Sequence, residues 1–128
     1  MRRNYVWGRS LEYQVKGELE LHGYWCMRSA SSHGLVDVLA LRSCEILLVQ
    51  AKRNGRLDPA EWNQLYTLAC ENDGKALLVT KKDGGRGNRY WLLTGMKIPH
   101  KSAPCEVWTP QPSGQGLLLE TRSPRRKG

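Results

Sequence analysis

The chain is 128 residues long, 40% hydrophobic and 25% charged, the size and usage of one folded domain, which excludes a wholly disordered or collagen-like chain. Lys and Arg number 20 against 12 Asp and Glu, for a net charge of +8 and a pI near 9.6, so an anionic polymer is the first partner to consider. Apolar runs such as Ile46-Leu47-Leu48-Val49 fall far short of the ~20 residues of a membrane helix, and Arg2 and Arg3 lead into no apolar signal region; a cytoplasmic protein with no membrane partner is expected, in a prokaryotic cell or in the host of a virus.

Leu11, Val15 and Leu19 recur every four residues and predict a helix from Ser10 to about His22, stopped by Gly23. Residues 24–28 are aromatic and apolar, as in a strand, and 29–34 are small and polar, as in a loop. Residues 36–41 and 45–52 predict two buried strands joined by a short turn at Arg42-Ser43-Cys44, a hairpin. Asp58-Pro59-Ala60-Glu61 starts a second helix: Asp58 caps, Pro59 takes the first helical position and Glu61 stands three residues after the cap. Trp62, Leu65, Tyr66 and Ala69 mark its buried face, and Asn72-Asp73-Gly74 ends it. Residues 76–80 predict a further strand, 83–88 a turn and 89–93 a fifth strand. Residues 94–116 carry Pro99, Pro104, Pro110 and Pro112, with one short strand at Glu106-Val107-Trp108. This order predicts an α/β domain spanning 1–120, with its core at about 8–93, a C-terminal extension at 94–120 and a flexible basic tail at 121–128.

Cys26, Cys44, Cys70 and Cys105 are widely separated, with no Cys-x-x-Cys pair, and are expected to be buried free thiols; His22, His33 and His100 are equally scattered, so zinc is not expected. Trp25, Trp62 and Trp91 fall at buried-looking positions and are read as core, not as base-stacking platforms.

Asp37 opens one strand of the hairpin, while Gln50 and Lys52, two residues apart, end the other and point to one face. With the carbonyl of Ala51 they offer a carboxylate, an amide oxygen, a backbone oxygen and an ammonium group in one small volume. Hard divalent cations such as Mg2+ use such oxygens. A bland account stands beside this one, because an Asp at a strand start and a Lys at a strand end are often solvated edge residues.

Gly8-Arg9-Ser10-Leu11-Glu12, His22-Gly23-Tyr24, Arg28-Ser29-Ala30-Ser31-Ser32, Val36-Asp37-Val38-Leu39-Ala40 and Leu48-Val49-Gln50-Ala51-Lys52 together resemble the archaeal-type Holliday junction resolvases, a branch of the PD-(D/E)xK nuclease superfamily. The resemblance covers residues 8–80. It implies a restriction-endonuclease-like mixed β-sheet flanked by helices, and a homodimer that cuts two strands of branched DNA. It also implies that Glu12, Asp37, Gln50 and the Ala51 carbonyl surround a Mg2+ ion, for which Mn2+ substitutes, with Lys52 and a loop serine, Ser32 or its neighbour Ser31, close to the reaction.

Two residues depart from the pattern. Val36 replaces the proline that names the motif, whose task is backbone shape. Gln50 replaces an acid, which removes one negative charge and weakens Mg2+ binding. Read alone, Glu12 is a first-turn acid favoured by the helix dipole, and Ser31 and Ser32 are turn residues.

Seven basic residues between Lys75 and Lys101 face only Asp83, as suits a polyanion. The candidate DNA contacts are Arg9, Ser31, Arg53, Arg56, Lys81, Lys82 and Arg86. Two rivals to junction cleavage remain open: a related nuclease acting on flaps, nicks or plain duplex, and a non-catalytic DNA-binding module of the same fold.

Overall fold

The computed structural model describes residues 10–29 and 34–112. Helix α1 (Leu11–Leu21) leads into β1 (Trp25–Arg28), β2 (Val38–Arg42) and β3 (Glu45–Ala51). Helix α2 (Pro59–Glu71), β4 (Lys75–Lys81), a short 3-10 turn (Asp83–Gly85), β5 (Asn88–Leu93) and β6 (Cys105–Trp108) follow.

Local signals account for the helix ends. The Ser10 side chain accepts from the Tyr13 N–H at 3.4 Å at the start of α1. At its other end Gly23, at φ 89°, lets its own N–H reach the Glu20 carbonyl and that of Tyr24 reach Leu19, which satisfies the last orphan carbonyls. Asp58 caps α2 through the Ala60 N–H, with Pro59 at the first position. Its far end repeats the same two-bond closure, but the left-handed residue is Asp73, at φ 54°. Gly74 is required for a different reason: a Cβ there would lie 2.9 Å from the Ile46 carbonyl oxygen of β3.

The strands form one six-stranded sheet in chain order, antiparallel throughout except for the parallel pair β3–β4, which α2 connects. A parallel neighbour needs such a crossover. α1 lies on one face, where Leu11, Val15 and Leu19 pack with Cys26, Val38, Ala40, Leu47, Val49, Leu77, Val79 and Tyr90. α2 lies on the other, where Trp62, Leu65 and Ala69 pack with Leu48, Ala76, Leu78 and Leu93. Odd and even residues of β3 therefore serve different cores, and its apolar run is continuous because both faces are covered. Each fully buried leucine contributes roughly 1.5–3 kcal/mol, so packing, more than helix propensity, holds α1 in place.

Several expectations need correction. Trp25 is 56% exposed, because α2 packs over β3 and β4 and leaves the same face of β1 bare; Met27 and Leu41 are exposed with it. Trp62 is buried and Trp91 partly so. Cys44 lies in the hairpin turn and Cys70 on the outer side of α2, so both thiols are exposed, Cys26 alone is buried and Cys105 is intermediate. The second strand begins at Val38, two residues later than predicted, so Asp37 stands just before it. The extension beyond residue 93 supplies β6, whose Trp108 packs its ring 5.8 Å from that of Tyr90. No described helix is long and apolar enough to cross a membrane.

Candidate active site

The register of the β2–β3 hairpin brings the first two candidate residues together. Val38 pairs with Val49, and the Asp37 N–H donates to the Val49 carbonyl at 2.8 Å. Asp37 and Val38 thus both face Val49 at a local bulge, which sets Asp37 beside the Gln50–Ala51 end of β3, while Gln50 shares the face of Leu48, the α2 face. The Ala51 N–H donates to Asp37 Oδ2 at 2.8 Å, and the Asp37 carbonyl accepts from the Ser29 N–H at 2.8 Å. Three backbone hydrogen bonds, two to β3 and one to the residue after β1, thus hold one aspartate. Asp37 is 8% and Gln50 3% exposed, an unusual burial for these residue types.

Lys52 extends the β3–β4 pairing by one residue, its N–H donating to the Val79 carbonyl at 2.9 Å. Its Nζ lies 3.8 Å from Glu61 Oε1. This places Glu61 at the site, a residue that the sequence marks only as a capping partner. Its position beside Lys52 follows from the crossover, which starts α2 at the end of the sheet where β3 finishes. Glu12, in the first turn of α1, approaches the same end from the opposite face.

Burial pushes the Asp37 carboxyl above its usual range, and the negative fields of Glu12 and Glu61 add to that effect, while the Ala51 N–H and Lys52 oppose it. Asp37 is therefore one desolvated carboxylate with two partly exposed acids in its field, a charge that a divalent cation would relieve. No group of three His, Cys, Asp or Glu side chains among the described residues converges to hold a metal. A cation bound by Asp37 must therefore draw on neutral oxygens, those of Gln50 and Ala51, with Glu12 nearby. An all-oxygen set of this kind suits a hard ion such as Mg2+ or Mn2+, and the residues present fit one.

The basic candidates lie around this end of the sheet. Arg53 and Arg56 are exposed on the turn that leaves β3, where the Gly55 N–H returns to the Lys52 carbonyl. Lys82 and Arg86 are exposed on the β4–β5 turn. Lys81 is committed in part to α1, its Nζ donating to Gln14 Oε1 at 3.2 Å. Arg9, Ser31 and Ser32, like the tail at 121–128, lie outside the described residues.

The sequence matches no family model and no curated protein. Among solved structures, the chain is similar to Hjc of Archaeoglobus fulgidus, a Holliday junction resolvase from an archaeal hyperthermophile. The two superpose with a TM-score of 0.52 at 22% identity, over 62% of this chain and 74% of that one. The mixed sheet flanked by helices is thus a fold that a resolvase also uses.

Proposed function

We propose that this protein is a metal-dependent endonuclease of DNA that cuts four-way junctions as a homodimer. The observation that carries this reading is the buried Asp37 carboxylate tied to the Ala51 N–H, with buried Gln50 and then Lys52 on either side of Ala51, at one end of a fold shared with a Holliday junction resolvase. Burying two polar side chains at one strand end is costly unless hydrogen bonds or a ligand serve them.

When bound, Mg2+ or Mn2+ supplies a Lewis acid that polarises the phosphodiester and lowers the pKa of the attacking water. Asp37, anchored through Oδ2 to the Ala51 N–H, contributes the negative charge of the ion's shell. Gln50 and the Ala51 carbonyl contribute neutral oxygens, and Glu12 adds a second negative field. Lys52 orients the water and offsets the charge that grows on the phosphate in the transition state, while Glu61 steers its ammonium group. Ser32, or Ser31, is assigned to the same phosphate by the resemblance of the loop sequence alone. Arg9, Ser31, Arg53, Arg56, Lys81, Lys82 and Arg86 receive the flanking backbone. Two cuts on symmetry-related strands call for a two-fold dimer.

Gln50 favours a second reading, a DNA-binding module that has lost cleavage, because an amide in place of an acid weakens the hold on the metal. One experiment separates the readings: labelled junction, flap, single-stranded and duplex DNAs are incubated with the protein with and without Mg2+. Junction cleavage that requires the metal is expected. Binding without cleavage in Mg2+ and in Mn2+ supports the second reading, and equal cutting of every substrate assigns a nuclease without junction preference.

A further inference from the structure

One residue beyond Lys52 a groove opens on the α2 face. It has a volume of about 410 Å³ and runs between the turn at Arg53 and Asn54, the strand residues Leu78, Thr80 and Trp91, and Ala103. A second hollow of about 330 Å³ shares Gly55, Trp62, Leu78 and Ala103 with it and carries it on towards Arg56 and Lys97. The Trp91 ring is fixed by its indole N–H, which donates to Thr80 Oγ1 at 3.1 Å, and the Arg89 guanidinium lies 5.8 Å from the ring centroid.

A slot of this size, with apolar walls at Leu78, Trp91 and Ala103 and a polar margin that includes Lys81 and Asp83, takes one planar heterocycle. Its position decides which one. The slot adjoins the residue that meets the scissile phosphate, and arginines stand along its rim, so a DNA strand laid across Lys52 carries its next base past the opening.

We propose that this groove receives one nucleobase turned out of the stack beside the scissile phosphate, with its ring against Trp91 and its backbone phosphate on Arg53. This rests on the nuclease reading and deepens it, since it names the property of the substrate that is selected. Turning a base out is cheapest where it is already unpaired or poorly stacked, as at a branch point, and most expensive inside a continuous duplex. The slot therefore discriminates by base mobility and not by sequence, because every base offers a flat face to an aromatic ring.

The test places 2-aminopurine, whose fluorescence reports stacking, at successive positions around the crossover of a four-way junction and titrates in the full chain without divalent metal. A fluorescence change confined to one position next to the crossover is expected, with none in the matching duplex. Ala103→Phe fills the groove from an exposed position that touches neither Asp37 nor Lys52. It is expected to abolish the change and to slow junction cutting in Mg2+ at least about fivefold, the minimum that one lost base–aromatic stack implies. Trp91→Ala is expected to act in the same direction, and circular dichroism checks that each variant is folded. Wild type is expected to cut a junction with an abasic site at that position as slowly as Ala103→Phe cuts the intact one. Junctions bound and cut with no response at any position, or a response that survives Ala103→Phe, overturn the groove and leave the nuclease reading standing. A chain that binds no DNA overturns both.

Discussion

At the scale of single residues, the site couples burial to charge. Asp37 is held by a backbone N–H at 2.8 Å, and its ionised form is disfavoured by burial and by the fields of Glu12 and Glu61 more than the Ala51 N–H and Lys52 favour it. Asp37→Asn keeps an acceptor for the Ala51 N–H and removes the buried charge. Cleavage is expected to disappear, while in chelator the protein is expected to gain about 1 kcal/mol of stability, as happens when a functional strain is relieved. Calorimetry in EDTA beside a cleavage assay checks both; an unchanged cleavage rate removes Asp37 from the reaction. Lys52→Ala is expected to stop cleavage with junction binding retained, because no other described ammonium or guanidinium group is held beside Asp37 by the strand pairing.

Gln50 lends itself to a metal titration. If its amide oxygen binds the ion, Gln50→Glu restores one negative charge and lowers the Mg2+ midpoint of single-turnover cleavage. Gln50→Ala raises the midpoint in Mg2+ and Mn2+ alike, and wild type prefers Mn2+, which binds such oxygens more readily. Equal midpoints for all three proteins take Gln50 out of the metal shell. No cutting by wild type beside robust cutting by Gln50→Glu supports the binding module.

Between residue and fold, the hairpin that positions Asp37 against the end of β3 is closed by a turn of poor chemistry. Arg42 pairs with Glu45, and the two residues between them, Ser43 and Cys44, have φ of 45° and 68°. That is a type I′ loop, which favours Asn-Gly. Ser43→Asn with Cys44→Gly is expected to stabilise the protein by roughly 1 kcal/mol and to raise Tm by about 3–5 °C; a lowered Tm contradicts the turn assignment. The end of α2 behaves in the opposite way. Gly74→Ala drives a Cβ onto the Ile46 carbonyl, and a loss of roughly 1–3 kcal/mol is expected, with α2 displaced from the strand whose end carries Lys52.

Over the whole molecule, the net charge of +8 governs association more than it governs the fold. Junction affinity should fall steeply with salt, the logarithm of the binding constant dropping by about 0.9 for each duplex phosphate neutralised. Deleting residues 121–128 removes four basic residues and no acid. It is expected to weaken binding modestly and to flatten that slope, with the positions of the cuts unchanged. An unaltered slope in the deletion shows that these residues make no phosphate contact.

What the sequence determined by itself was local. Helix ends at Ser10, Gly23, Asp58 and Pro59, the apolar faces of both helices and the β2–β3 hairpin were all legible, because caps, periodicity and turns act within a few residues of one another. The hairpin also made the nearness of Asp37, Gln50 and Lys52 readable, since its two strands have their open ends side by side. The tertiary structure decided whatever depends on coverage and crossover. Trp25 looked like core but lies bare, because burial of one sheet face depends on where α2 crosses and nothing in β1 records that. Glu61 looked like a capping residue, and only the parallel β3–β4 connection brings it to Lys52. The groove beside Lys52 is assembled from five separate parts of the chain, at 53–55, 62, 78–83, 91 and 103–105, and no local pattern announces a space that exists only between them.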